Sequence, residues 1–262
     1  MTGVCDPALP RGYSFDYLNA EVLLQSTVSD GRLTLPSGMQ YAVLVLPKQN
    51  TMRPAVMEKI AELAHEGLNI VGPQPTQSPS MKDYPNADQK VQALAGTVWN
   101  NDALKGNVWA DGTPLSTILD KKHVRPDLVT ANDVPVAYIH RHLNDCDIYF
   151  VSNQSTQTQR FEALFRDGNG TPELWHPVTG EQRVLSQYEA SDKGVSVPLL
   201  LEPDESVFIV FHGTDEIAQQ RANFPEEEVA ATLKGAWTVA FDAAQRGPAT
   251  PQAFVDLTSW TE

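Results

Sequence analysis

Apolar residues recur at Phe15, Leu18, Val22 and Leu23 within "YSFDYLNAEVLLQ", residues 13–25. That spacing is close to one face of a helix and predicts a helix there. Next, "SDGRLTLPSGMQ" alternates apolar and polar positions between two turn signals, Asp30-Gly31 and Ser37-Gly38, and predicts a β-hairpin. "YAVLVLP", residues 41–47, is instead continuously apolar and ends at Pro47, as expected for a strand covered on both faces of a parallel sheet. In "TMRPAVMEKIAELAHEGLN" a stripe of Val56, Ile60, Leu63 and Ala64 marks a helix. Thr51 is placed to cap it, Pro54 fits its first turn and Gly67 closes it. "IVGPQP" is a second short strand, which completes a strand–helix–strand unit. "DQKVQALAGTVWN" is a further helix.

From about residue 134 the pattern changes. "VAYIHRHL", "DCDIYFVSNQ", "QRFEALFR", "PELWHPVTGEQRVL" and "VSVPLLLEPDESVFIVFHG" are strand-length runs. Turn signals at Asp167-Gly168, Asn169-Gly170 and Thr179-Gly180 separate them. No helical period interrupts this series, so an antiparallel β-sandwich is expected. "TDEIAQQRANFPEEE" reads as an acidic linker, "GAWTVAF" opens a new strand, and the last residues read as the start of another domain. The expected organisation is an α/β domain over 1–132, a β-sandwich over 133–213, and a linker with a truncated domain over 214–262.

At 262 residues the chain is long enough for one or two domains. Its 41% hydrophobic content supports a real core. The net charge of -14 argues against nucleic acid as a partner, because an acidic surface repels phosphate. No apolar run approaches the roughly 18 residues of a membrane span. Residues 1–12, "MTGVCDPALPRG", lack the charged and then apolar start of a signal peptide. Cellular location stays open. Cys5 and Cys146 have no metal-ligand spacing, so simple thiols are expected.

Catalytic machinery is hard to find. The loops "KQNTM" and "TQSPS" after the two parallel-type strands lack glycine-rich phosphate cradles, so no nucleotide cofactor is expected. No Ser or Cys follows a strand on a tight turn, as a nucleophile elbow requires. A glycosidase needs paired carboxylates across the scissile bond. Asp16 and Glu21 on the first segment, and Asp145 and Asp147 around Cys146, are candidates only in number, for there are 33 acidic residues. Helix caps and solvated faces explain such residues as well. His140 and His142 alternate on one strand and so share a face, with Arg141 between them. Two histidines hold a metal only with a third ligand nearby, so no metal is expected, and a strand-end salt bridge is an equal reading. His123, His176 and His212 give no spacing clue. Of Trp99, Trp109, Trp175, Trp237 and Trp260, Trp175 lies in the turn-rich "PELWHPVTGE" and suits either packing or a sugar face.

The succession of segments carries a resemblance. "LPRGYSFDYLNAEVLL", "DGRLTLPSGMQYAVLVLP" and "TMRPAVMEKIAELAHEGLNIVGPQPTQSPS", followed by "YIHRHLNDCDIYFVSNQS", "PELWHPVTGE" and "VPLLLEPDESVFIVF", resemble glycoside hydrolase family 106, the α-L-rhamnosidase-like proteins, after their catalytic barrel. "LKGAWTVAFDAAQRGPATPQAFVDLTSW" is similar to the opening of a later jelly-roll domain in the same proteins. The resemblance implies a parent hydrolase acting on rhamnose-containing glycans. It implies that the acid and base glutamates, and the family's calcium, belong mainly to a barrel outside this chain. It further implies that the α/β part is flavodoxin-like, of the glutamine-amidotransferase-like and β-galactosidase-trimerisation-like type, without a catalytic cysteine.

The expected role is accordingly supporting. The chain would pack against the intramolecular catalytic barrel and line the substrate groove. Substrate contacts are expected from Asp16 and Asn19, whose three-residue spacing puts them on one helical face, and from His140 and Arg141 at the mouth of the sandwich. No catalytic residue is expected within the chain. A stand-alone carbohydrate-binding module and a homo-oligomerisation module are the other readings.

Overall fold

The computed structural model describes residues 8–130, 134–144, 146–213, 221–226, 228–256 and 259. Cys5, Asp145 and Trp260 lie outside them.

 The chain divides into two compact units, the first ending at Asn223 and the second beginning at Phe224.

In the first unit, β1 (Thr27–Ser29) and β2 (Arg32–Thr34) form an antiparallel hairpin, to which β3 (Gln40–Tyr41) is added. Ser29 faces Arg32 across the two turn residues, Asp30 (φ 50°) and Gly31 (φ 71°). Two successive positive φ values match the right-handed twist of the strands, which is why Asp-Gly serves here.

The parallel sheet has the order β4-β5-β6, from β4 (Val43–Val45), β5 (Asn69–Val71) and β6 (Val108–Trp109). Helix α2 (Pro54–His65) connects the first two strands. Leu44 and Ile70 pack with Ile60 and Leu63 of α2 and Val91 of α3 (Ala87–Trp99). Val43, Val45 and Val71 pack instead with Leu115, Ile118 and Leu119 of α4 (Leu115–Lys121). Alternate side chains of one strand thus enter two different cores, so a sheet covered on both faces needs a continuous apolar run. Burying a side chain such as Ile60 or Leu63 contributes about 1.5–3 kcal/mol.

Two local expectations are corrected. The residues before Asn19 are not helical, and the first helix, α1 (Ala20–Leu24), has five residues. Gly12 (φ 81°) explains part of this: a Cβ there would lie 2.2 Å from the carbonyl oxygen of Leu128. The close backbone approach lays the segment along residues 126–128, with Asp127 N–H donating to the Gly12 carbonyl at 2.6 Å. Nor does Thr51 cap α2. The N-cap is Arg53, with no side-chain cap bond, while Thr51 bridges to Gln77.

The remainder of the first unit is antiparallel. One sheet has the order β13-β14-β10-β7, from β7 (Leu128–Thr130), β10 (Gln159–Phe165), β13 (Glu189–Ser191) and β14 (Gly194–Leu201). The other has the order β12-β11-β15-β9-β8, from β8 (Val136–Leu143), β9 (Cys146–Asn153), β11 (Pro172–Trp175), β12 (Gln182–Val184) and β15 (Ser206–Phe211). Tyr149 and Phe211 of the five-stranded sheet meet Phe165 of the four-stranded sheet, with ring centroids 4.8 and 5.4 Å from it. All three rings are fully buried. Asn223, expected in a linker, is buried, and its side chain donates to the Gln187 carbonyl at 2.7 Å.

In the second unit, β16 (Trp237–Val239) and β17 (Gln252–Phe254) pair antiparallel. Among the described residues no helix is long and apolar enough to cross a membrane.

Candidate functional site

Strand alternation sends His140 inward and Arg141 outward on β8. The His140 ring stacks on Tyr149 at 4.0 Å, with the planes 4° apart. Its Nδ1 lies 3.2 Å from both carboxylate oxygens of Asp127, and its Nε2 lies 2.9 Å from Oδ1 of Asp147. His142 Nδ1 approaches the same Asp147 oxygen at 2.9 Å, so the two histidines do share a face. Asp127 in turn meets Arg166, whose Nη2 is 2.7 Å from its Oδ1 and 2.6 Å from Oδ2 of Asp167. Arg166 Nη1 also donates to the Arg125 carbonyl at 2.9 Å. Asp167 N–H closes the circuit on the Tyr149 hydroxyl at 3.2 Å.

These neighbours set the protonation states. Burial disfavours the His140 imidazolium, but hydrogen bonds and charge from Asp127, then Asp147, outweigh it and raise the pKa. Burial likewise works against an ionised Asp167, yet the Arg166 guanidinium holds that carboxyl below its ordinary value. The Tyr149 phenol is pushed up, chiefly by burial.

One ligand atom each from Asp127, His140 and Asp167 lies within 4.8 Å of the others, which is metal-like spacing. The donor set nevertheless does not fit the calcium implied by the resemblance. Calcium takes six to eight oxygens, whereas this group offers an imidazole nitrogen and two carboxylates already paired with Arg166. The cluster is an ion-pair network.

It carries a pH prediction. A group whose folded pKa is raised stabilises fully below its unfolded value, ordinarily 6.5 for His, and loses that contribution as pH rises through the folded value. Between about pH 6 and about pH 9, stability should fall further in the native protein than in His140→Gln. Asp127, Asp147, His142, Arg166, Asp167 and Tyr149 face the ring in both comparisons. Urea denaturation across this range is the check, and parallel pH profiles would contradict the assignment.

A second group lies at Tyr41. Its hydroxyl donates to Oδ2 of Asp16 at 2.5 Å. Burial, then the Asp16 bond and charge, push the phenol up to about 12, while the charge of Arg141 works in the opposite direction. Asp16 and Arg141, 125 residues apart by number, therefore act on one phenol. Arg141 itself is exposed and donates to the His140 carbonyl at 2.8 Å. Asn19 caps α1 by accepting the Val22 N–H at 3.0 Å. Its helical face with Asp16 is absent, because the helix begins only after it. Beside it, Tyr17, Leu18, Asn19, Leu35, Pro36 and Ser37 line a cleft of about 480 Å³. Tyr17 is 71% exposed and meets Phe15 edge-on at 5.5 Å.

Of the four expected contact residues, Asp16, Asn19 and Arg141 belong to exposed surface. His140 does not: both its ring nitrogens already face carboxylates, and its side chain is 11% exposed. Sequence reasoning missed Tyr41, hidden in an apolar run, and Asp127 and Arg166, which no spacing links to His140.

Comparison with known proteins places the chain among the glycoside hydrolases. More particularly, it belongs to glycoside hydrolase family 106, the α-L-rhamnosidases, whose family model matches residues 1–190. A rhamnosidase from Novosphingobium sp. PP1Y is similar in structure, with a TM-score of 0.77 and 30% identity. That match covers 94% of this chain and 24% of the rhamnosidase. A protein of Formosa agariphila named "Putative beta-glucuronidase" is 29% identical over 210 residues, or 80% of this chain and 18% of that protein. The chain thus spans a quarter or less of the length of either relative.

Proposed function

We propose that the chain is the non-catalytic supporting part of a larger glycoside hydrolase that acts on rhamnose-containing glycans. The observation that carries this reading is family membership combined with a match to under a quarter of a rhamnosidase's length. In this reading the parallel sheet and its helices are a flavodoxin-like, amidotransferase-like layer, and the two facing antiparallel sheets are a β-sandwich. The exposed face with Asp16, Asn19, Tyr41 and Arg141 meets the catalytic barrel and borders the sugar. His140 acts indirectly, as a positioning residue: its two carboxylate partners anchor the strand from which Arg141 projects.

A groove-lining role predicts a division between binding and chemistry. In the full-length enzyme, Asp16→Ala and Arg141→Ala should each raise KM about tenfold and leave kcat within about twofold. Steady-state kinetics on an aryl α-L-rhamnoside, with thermal melts of each variant, is the test. Unchanged KM with unchanged stability would discard the role of this face.

A further inference from the structure

The outward face of the five-stranded sheet is unusual for an antiparallel sheet, whose solvent side is ordinarily polar. Ile139 pairs with Phe150, Phe150 with Phe208, and Phe208 with Trp175, so four large apolar side chains form one row across four strands. Ile139 is 51% exposed at one end of the row. At the other end, Trp175 is partly exposed, and its indole N–H donates to Oε2 of Glu173 at 2.8 Å. The same carboxylate oxygen lies 3.7 Å from Nε2 of His212, whose ring centroid is 5.9 Å from that of Trp175. The Glu173 and His212 side chains are 32% and 43% exposed.

We infer that Trp175, Glu173 and His212 form a binding subsite for a neutral glycan, three strands away from Arg141 on the same outward face of the sheet. It rests on the reading above only for the class of ligand. A pyranose presents a ring of C–H bonds on one side and hydroxyls at its edge. The indole offers an apolar surface to the first. Glu173 accepts hydroxyl protons, and His212 carries two nitrogens that donate or accept according to its tautomer. A dry protein partner fits this place less well, since it would strip water from a carboxylate at the patch. The ligand is neutral because Glu173 and the net charge of -14 both repel uronates.

The test is affinity gel electrophoresis of the full chain in gels containing a neutral α-L-rhamnan. The native protein should be retarded. Trp175→Ala should lose at least about tenfold in affinity, and Glu173→Gln should also weaken binding. Trp175→Phe, which keeps a ring and guards against a folding artefact, should retain part of it. Lys105→Ala, at an exposed residue that belongs to neither group, should bind as the native chain does. The gel reads no KM, so loss of the groove reading leaves this result standing. Absence of retardation in the native chain would overturn the inference. So would native-like binding by Trp175→Ala, which would make the row a protein-packing face.

Discussion

Arg166→Met is expected to lower the unfolding free energy by about 3 kcal/mol, close to the lower end for breaking a buried ion pair. The reason is what the guanidinium leaves behind. Asp127 is 8% exposed, and Arg166 supplies one of its two close cationic partners at 2.7 Å. With methionine in place, the carboxylate keeps only the His140 ring, and Asp167 loses the partner that holds its pKa down. The Arg166 side chain is 30% exposed, so water partly screens the pair and the cost falls short of the upper range. Arg166→Met combined with Asp127→Asn should recover part of the loss, since no uncompensated charge remains. Urea denaturation of the two variants is the check. An unchanged midpoint in Arg166→Met would mean that the network contributes nothing to folding.

That network also marks where the sequence ceases to be readable. Local periodicity found what is locally determined: the α2 stripe of Val56, Ile60 and Leu63, the Asp30-Gly31 turn, and the continuous run of β4. Each depends on residues within one element and on a single burial demand. The helix expected over residues 13–25 forms only over Ala20–Leu24, because Phe15 and Leu18 copy helical spacing while Gly12 holds the chain against Leu128 through a backbone contact 116 residues away by number. Tertiary contact overrode propensity there. The same holds for Thr51, whose capping side chain was plausible until its backbone paired with Gln77.

The candidate sites divide in the same way. Strand alternation correctly put His140 and His142 on one face, and both reach Asp147. It could not reveal that Asp127 and Arg166 arrive from the ends of other strands to occupy the ring's remaining surroundings. A histidine that reads as available for a ligand is therefore committed to two carboxylates. Asp16 and Arg141 stand out in the sequence for separate reasons, and their convergence on Tyr41 comes from packing alone. Trp175 was legible as an aromatic near turns, whereas its alignment with Phe208 and Phe150 required strand register.

The second large expected effect concerns chemistry. Glycoside hydrolysis needs an acid and a second carboxylate flanking one bond, commonly about 5–9.5 Å apart with the sugar between them. In the His140 network the carboxylates are committed: Asp127 and Asp167 to Arg166, and Asp147 to two histidines. A carboxylate held ionised, as Arg166 holds Asp167, is a poor proton donor near neutral pH. On the proposed reading bond cleavage lies outside these sheets and helices, and the chain by itself is expected to turn over no substrate.

The direct measurement is release of nitrophenol from p-nitrophenyl α-L-rhamnopyranoside by the purified 262-residue chain beside the full-length enzyme. The account predicts a rate equal to buffer for the chain and turnover for the full-length enzyme. Turnover by the chain, abolished by changing one of its own carboxylates, would contradict it.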